Sequence, residues 1–427
     1  MLSTDTVLTT TPADQPSSAT DTALRAPHRP IGGATLIALA VLAAIAPFGI
    51  DLYLSAFPAM TADLATTATG VQLSLTAFLV GAGLGQVVFG PWSDRVGRLA
   101  PLLTGLAVFL VASVVAMLAG SIEVLVAARL LQGIGGAAGM VIGRAMIVDR
   151  EEGPRAARAL NLMMMIGGIA PVIAPLTGSV LGGAIGWRGL LAIVGGVGAV
   201  AAILTLLFVR ESLPREVRVA RAAAREPGGW RVLLSRTYVG NVLAFAFGMA
   251  IMMAYISASP FVYQDMVGLD ALGYGIAFAI NAVGLVAATG LAAFLARRIS
   301  PRASALIGLG TSFAAVAVIL VLTVAGAPAA WLMVPLFFAI APLGLVLGST
   351  TALALSSVPH AATGSASAIL GLLQFVLAGT VAGLVGVAGE HTALPLALTM
   401  FAAALLALLA LAVGRERTVT PARVRRP

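Results

Sequence analysis

The chain has 427 residues, of which 59% are hydrophobic and 10% are charged, and its mean hydropathy is +1.03. A soluble domain cannot hide that much apolar surface, so lipid must surround most side chains, and the length allows about a dozen membrane-spanning helices. Cysteine and lysine are both absent, which excludes disulfides, thiolate catalysis and ATP hydrolysis at a Walker A loop. The net charge of +8 does not indicate nucleic-acid binding, because the arginines lie between apolar segments.

The elements in chain order begin with a polar tail, residues 1–33, whose Thr, Ser, Pro and Asp content predicts disorder. Its aspartates and missing basic start do not fit a signal peptide. Twelve apolar segments follow, which predicts an all-α integral membrane protein with 12 transmembrane helices. Their predicted bounds are Ala34–Ala56, Val71–Pro91, Pro101–Ala119, Val124–Val148, Leu160–Ala184, Leu190–Val209, Tyr238–Ser259, Tyr274–Ala296, Ala303–Ala325, Trp331–Leu355, Gly364–Ala388 and Leu394–Val413.

The arginines predict the orientation of these spans. If both termini are cytoplasmic, 22 of the 25 arginines fall in inner segments, Arg188 alone falls in an outer loop, and Arg129 and Arg144 lie within span 4. That asymmetry is what the positive-inside rule requires. The lysine-free, alanine-rich composition is also typical of a GC-rich bacterial genome. We therefore expect a multi-pass protein of a bacterial cytoplasmic (inner) membrane, with cytoplasmic N- and C-tails.

A long basic segment divides the chain into two sets of six spans. We expect an N-terminal bundle over residues 34–209, a cytoplasmic basic linker over 210–236, a C-terminal bundle over 237–413 and a C-tail over 414–427. The sequence Tyr-Leu-Ser-Ala-Phe-Pro at 53–58 returns as Tyr-Ile-Ser-Ala-Ser-Pro at 255–260, an offset of 202 residues. This echo indicates gene duplication, with six helices in each pseudo-symmetric half.

The loop between spans 2 and 3 carries the most informative motif, Gly90-Pro-Trp-Ser-Asp94-Arg95-Val-Gly97-Arg98. Small residues let helices approach closely, and the charges lie at the border between lipid and water. The motif resembles the loop signature of the major facilitator superfamily of membrane transporters. That resemblance implies the major facilitator fold. It also implies a conformational latch, in which Asp94 meets the amino end of span 11 near Gly364 and Ser365 and Arg98 reaches Asp149.

Further motifs narrow the resemblance to drug:proton antiporters of the bicyclomycin/chloramphenicol resistance type. Span 1 contains Pro47-Phe-Gly-Ile-Asp51-Leu-Tyr53, and span 4 contains Arg129-Leu-Leu-Gln132-Gly133. Span 5 resembles the proline–glycine motif of exporters, although Ala170, Ala174 and Ser179 stand where many exporters have glycine. The motif residues are Ala170, Pro171, Ala174, Pro175 and Gly178.

Asp51 and Arg129 are the candidate proton-coupling residues. Counted at about 1.5 Å per residue from Ala34, Asp51 lies roughly 25 Å into a roughly 30 Å core, and Arg129 lies at a matching depth. Burial favours the protonated form of a carboxyl group, whereas a nearby arginine opposes it. We expect this competition to make the proton on Asp51 respond to conformation. A structural Asp–Arg pair near the interface is the alternative interpretation.

Polar and aromatic residues within the spans are candidates to line a substrate cavity, although each also fits a packing role. They are Tyr53, Gln132, Asn161, Phe245, Tyr255, Asn281 and Gln374.

These observations favour a proton-coupled secondary transporter that exports drugs or small amphipathic metabolites by alternating access. The alternative is a carrier of the same superfamily for another solute, such as a sugar, peptide or amino-acid derivative. We expect no enzyme activity, because a lone buried carboxylate without cysteine or intramembrane histidine makes no catalytic set. We also expect no metal, no cofactor other than the proton gradient, no nucleic-acid partner and a monomer.

Overall fold

A computed structural model describes residues 31–151, 153–223, 229–359, 363–386 and 392–414. The described residues form helices and connecting turns, and no β-strand occurs among them. Residues 1–30 and 415–427 are outside this range, so the disorder expected for residues 1–33 is not tested there, and at its end a helix already begins at Gly33. The spans observed are Gly33–Asp63, Ala68–Val96, Leu99–Met117, Ile122–Arg150, 153–185, 187–208, Arg236–Met266, Ala271–Leu295, Pro301–Val324, Ala329–Ser356, Thr363–Gly386 and Leu394–Val413, numbered 1 to 12 below.

Spans 5 and 6 are two helices that follow each other directly in the segment Gly153–Phe208 and are separated by a non-helical residue, Gly186. The 56 residues of this segment would reach about 84 Å as a straight helix, far more than the roughly 30 Å of a bilayer core. Gly186 has φ 65°, a value that glycine adopts without strain, and it divides the segment into two crossings. Within the described residues the all-α membrane fold is therefore confirmed: eleven helical segments are long and apolar enough to cross a membrane, and counting the two parts of Gly153–Phe208 separately gives the predicted twelve.

Two spans continue beyond their predicted ends. In span 1, a 3-10 turn at Leu54–Ala56 leads into a further helix, Phe57–Asp63, which Pro58 can start because it needs no donor there. In span 7, a π-helical turn at Val262–Met266 prolongs the helix. Span 1 is thus 31 residues long, and Asp51 lies about 18 Å from its end, deeper than the predicted span implies.

Small residues set the distance between spans within the N-terminal half, which comprises spans 1–6. A Cβ atom on Gly133 of span 4 would overlap the carbonyl oxygen of Phe78 in span 2, and one on Gly81 would overlap that of Leu130. Large apolar side chains instead point outward, such as those of Val111, Leu118 and Leu206, where lipid would cover them. This distribution is typical of membrane helices, whose association depends on close backbone packing.

The N-terminal half and the C-terminal half, spans 7–12, meet at the predicted outer end. Span 5 packs against span 8 there, and the rings of Phe57 and Phe261 lie 5.9 Å apart across the boundary. Toward the predicted inner end, span 8 is exposed on several faces at 289–291 and at 293–294. The described residues of the two halves therefore meet at the predicted outer end, and span 2 also packs against span 11 as far inward as Gln86 and Gly371.

Candidate functional site

Arg129 lies completely buried among spans 1, 2 and 4. Its Nη1 atom donates to Oε1 of Gln132 at 2.5 Å, and Nη2 donates to the carbonyl oxygen of Gly49 at 2.5 Å. The guanidinium group also lies over the rings of Tyr53 and Phe78, 4.5 and 4.3 Å from their centroids. Cation–π contacts of this kind stabilise a charge that has left water. Arg129 is therefore anchored within the N-terminal half.

Asp51 is only 3% exposed, and its Oδ1 atom makes no hydrogen bond within the described residues. No ion pair within 4 Å connects Asp51 to Arg129, although Arg129 binds the carbonyl of Gly49 two residues away. Asp51 instead lies within electrostatic range of Tyr255 and Tyr274 in spans 7 and 8. Arg129 and Asp51 therefore lie at one depth, and tyrosines of the C-terminal half lie near Asp51.

The groups that Asp51 faces form an aromatic cluster, which we call the tyrosine cluster: Tyr255, Tyr263, Tyr274, Phe278 and Asn281. The ring of Tyr255 stacks on that of Phe278 at 5.4 Å, and Nδ2 of Asn281 donates to the hydroxyl of Tyr263 at 3.3 Å. Among the described residues the hydroxyls of Tyr255 and Tyr274 and Oδ1 of Asn281 are buried and make no hydrogen bond of ordinary geometry, although the Tyr255 hydroxyl lies close to Tyr263 and the Tyr274 hydroxyl close to Ser259. Buried polar groups without a hydrogen bond are rare in folded proteins.

Tyr255 and Asn281 of this cluster are among the predicted cavity residues, whereas Tyr263, Tyr274 and Phe278 are not. The sequence contains one indication of the missed tyrosines, because four of the five tyrosines in the chain lie close to the predicted outer ends of spans 1, 7 and 8. These spans are far apart in the sequence, so only the fold shows that three of the tyrosines form one cluster.

The remaining cavity candidates occupy different environments. Tyr53 and Gln132 are completely buried inside the N-terminal half, where Gln132 donates to Ser113 at 2.8 Å and the hydroxyl of Tyr53 lies 3.1 Å from Oγ of Ser74. They pack spans 1 to 4 together and line no open cavity in this conformation. Phe245 is buried in span 7 and Gln374 is half-buried in span 11, whereas the side chain of Asn161 falls outside the described residues.

The exporter motif of span 5 packs against span 1 next to Asp51. Gly178 lies against the carbonyl oxygen of Leu52, which a Cβ atom would overlap. The hydroxyl of the next residue, Ser179, donates to the carbonyl of Pro175 at 2.7 Å, and its side chain lies against Gly275 of span 8. Ala170, Ala174 and Pro175 are buried and Pro171 is half-buried. Span 5 is therefore wedged between span 1 and span 8 at the level of Asp51.

The loop signature forms a network around Arg98 at the predicted inner end. Its Nε atom donates to Asp149 at 2.8 Å, and Nη1 donates to Ser93 at 2.8 Å and to Asp94 at 2.5 Å. Burial lowers the pKa of Arg98, but the hydrogen bonds and charges of Asp149 and Asp94 outweigh it and raise that pKa above its usual value. Gly90 packs against span 4 and Arg95 is exposed.

The expected contact of Asp94 with span 11 is at Gly364 and Ser365, whose surroundings the structure does not describe. In the part of the chain that is described, Asp94 is more than half exposed and binds Arg98. The role of this network as a latch remains a prediction.

Glu211 is a residue of this network that the sequence analysis missed. Its carboxylate accepts hydrogen bonds from the backbone nitrogens of Arg98 at 2.9 Å and Leu99 at 3.0 Å, at the amino end of span 3. A negative charge at that position is favoured by the helix dipole. Gly97 has φ 109°, and a Cβ atom there would lie 2.7 Å from Oε2 of Glu211. The second glycine of the motif thus makes room for the start of the linker.

Comparison with known proteins agrees with this architecture. The chain is 36% identical to the uncharacterized MFS-type transporter YdgK of Bacillus subtilis over 90% of this chain and 96% of that protein. It is 32% identical to a chloramphenicol resistance protein of Pseudomonas aeruginosa over 83% of each chain. A crystal structure of a bacterial homolog of the human lysosomal transporter Spinster, inward-facing and occupied, matches with a TM-score of 0.68. That match has 19% identity and covers 89% of this chain and 95% of the other, so the likeness concerns the fold.

Residues 39–383 match the sequence profile of the Major Facilitator Superfamily. This match confirms the family predicted from the loop signature between spans 2 and 3. The chain belongs to the Major Facilitator Superfamily and is a multi-pass membrane transporter.

Proposed function

We propose that the protein exports drugs or small amphipathic metabolites from a bacterial cell in exchange for protons. The relationship to a chloramphenicol resistance protein supports the substrate class, and the arginine distribution supports cytoplasmic termini in the inner membrane. The proton gradient supplies the energy, and a monomer without a cofactor suffices for this cycle.

The observation that carries the proposal is the position of Asp51. It is buried at membrane depth, without a cation in contact, beneath tyrosines of the opposite half. A bare carboxylate in such a place is costly, so closing the outer end favours a bound proton. Opening the outer end would return water to Asp51, and opening the inner end would offer the proton to the cytoplasm. Proton movement is thereby tied to conformation.

The inner network provides the complementary half of the cycle. In the outer-closed conformation Asp94 binds Arg98 within its own half. When the inner end closes, Asp94 is released to the amino end of span 11, where the helix dipole favours an anion. Arg98 keeps Asp149 throughout. Exchange of the partner of Asp94 would therefore accompany each change of access.

Transport in everted membrane vesicles tests this function. With an imposed proton gradient, vesicles that contain the protein should accumulate radiolabelled chloramphenicol, and collapse of the gradient should release it. A parallel panel of antibiotics and dyes in a pump-deficient strain measures inhibitory concentrations. If expression changes no inhibitory concentration and the vesicles take up no drug, the proposal is wrong. Uptake of a sugar or peptide instead would identify a carrier for another solute.

A further inference from the structure

We propose that Gln72 and Gln264 hold the outer end of the transporter closed through two hydrogen bonds that cross between its halves. Nε2 of Gln72, in span 2, donates to the carbonyl oxygen of Ser257 in span 7 at 3.0 Å. Nε2 of Gln264, in span 7, donates to the carbonyl oxygen of Ser55 in span 1 at 3.1 Å. Each half therefore supplies one glutamine and one backbone acceptor.

The two acceptors are equivalent positions of the duplicated sequence. Ser55 and Ser257 are 202 residues apart, and each precedes a proline by three residues, Pro58 and Pro260. Proline removes a backbone donor, and both segments depart from regular α-helix nearby, with a 3-10 turn at 54–56 and a π-helical turn at 262–266. The equivalent serine of each half thus presents its carbonyl to the other half, from a 3-10 turn at Ser55 and from regular α-helix at Ser257.

In a regular helix the backbone N–H of residue 260 would donate to the carbonyl of Ile256, but proline has no N–H. The hydroxyl of Ser259 donates to that carbonyl instead, at 3.3 Å. The glutamine bonds are therefore additional to local backbone repair. A carbonyl oxygen has two lone pairs and can accept a second hydrogen bond without loss of the first.

The chemistry of these bonds suits a gate that opens in every cycle. Both are neutral, both join a side chain to the backbone, and neither leaves a charge unpaired when it breaks. Water replaces each bond as the outer end opens, so the net contribution of each to closure is modest. Around them Phe57 and Phe261 exclude water from the closed boundary.

The chain has no cysteine, so a single introduced thiol reports the state of the outer end. Ser259→Cys is a suitable reporter, because Ser259 is completely buried beside the tyrosine cluster. In purified protein in detergent, Gln72→Leu and Gln264→Leu should each increase the maleimide labelling rate of this thiol by about three- to tenfold. The double variant should increase it further.

Two controls separate opening of the gate from general loosening. Ser304→Ala removes a hydrogen bond to the carbonyl of Leu345 within the C-terminal half and should leave labelling of Ser259→Cys unchanged. A second reporter, Ser312→Cys, is also buried but lies inside the C-terminal half, and its rate should stay at the parent value in both glutamine variants.

Unchanged labelling in the double variant, or equal gains at both reporters, would show that the glutamines do not hold the gate. The inference rests on the proposed alternating access, but the labelling needs no substrate. A failed gate test therefore leaves the drug-export experiment unaffected, and failure of that experiment leaves the labelling result valid.

Discussion

The two candidate proton-coupling residues, Asp51 and Arg129, are surrounded by different parts of the protein. The partners of Arg129 are a backbone carbonyl, a glutamine and two aromatic rings of its own half, while its Nε atom makes no hydrogen bond within the described residues. Asp51 lies near Tyr255 and Tyr274 of the other half. The structure therefore suggests that the docking of the two halves, more than the charge of Arg129, controls the environment of Asp51.

We predict that Asp51→Asn abolishes uphill drug accumulation while preserving the fold. Asparagine mimics the protonated carboxyl group, so closure of the outer end should remain favourable but carry no proton. The measurement is gradient-driven uptake into everted vesicles, together with proton release on adding drug to purified protein. Asp63→Asn, an exposed acid of the same span, should behave as the parent. Proton release from Asp51→Asn would place the coupling site elsewhere.

Among the elements, span 5 is the one whose packing the site depends on most directly. Gly178 brings its backbone against Leu52, the neighbour of Asp51, and Ser179 meets span 8 one position further along. The exporter motif thus supplies contact surfaces on two sides of one helix. Alanine at 170 and 174 is small enough to keep this approach.

We predict that Gly178→Ala lowers the melting temperature in detergent, because a Cβ atom would overlap the carbonyl oxygen of Leu52. Forcing extra atoms into such packing costs about 1–3 kcal/mol. Gly183→Ala in the same span is the matched control, since its Cβ atom would meet nothing within 4 Å. Alanine there should stabilise the helix by about 0.5–1 kcal/mol. Equal melting temperatures for the two variants would contradict the close approach at Gly178.

The whole molecule shows two sets of contacts at opposite ends. At the predicted outer end the halves are joined, whereas the inner network of Arg98 stays within the N-terminal half and the first residues of the linker. Spans 2 and 11 also pack along their length, from Thr76 and Gly383 to Gln86 and Gly371, so the difference between the two ends concerns their hydrogen bonds. The direction of that difference depends on which end faces the cytoplasm.

We predict that a cysteine replacing Asp265, in the π-helical turn at the outer end of span 7, reacts with an impermeant maleimide added to intact cells. A cysteine replacing Arg297, at the opposite end of span 8, should react only after the membrane is permeabilised. Both parent side chains are exposed, so a difference reports sidedness. The opposite pattern would reverse the orientation and turn the proposed exporter into an importer.

The sequence alone determined the membrane class, the twelve spans, the duplication and the family, because hydropathy, arginine distribution and loop motifs are properties of short stretches. It also placed Asp51 and Arg129 at one depth, since each residue of a helix advances by a constant rise. The depth of a residue does not determine which residues surround its side chain. Tyr255 and Tyr274 lie near Asp51 because of the way in which the N-terminal and C-terminal halves pack against each other. Glu211 at the start of span 3 and the two glutamines at the outer end likewise bind partners more than 100 residues away. Only the tertiary structure decided those contacts, because they depend on the packing of whole helices and leave no local pattern in the chain.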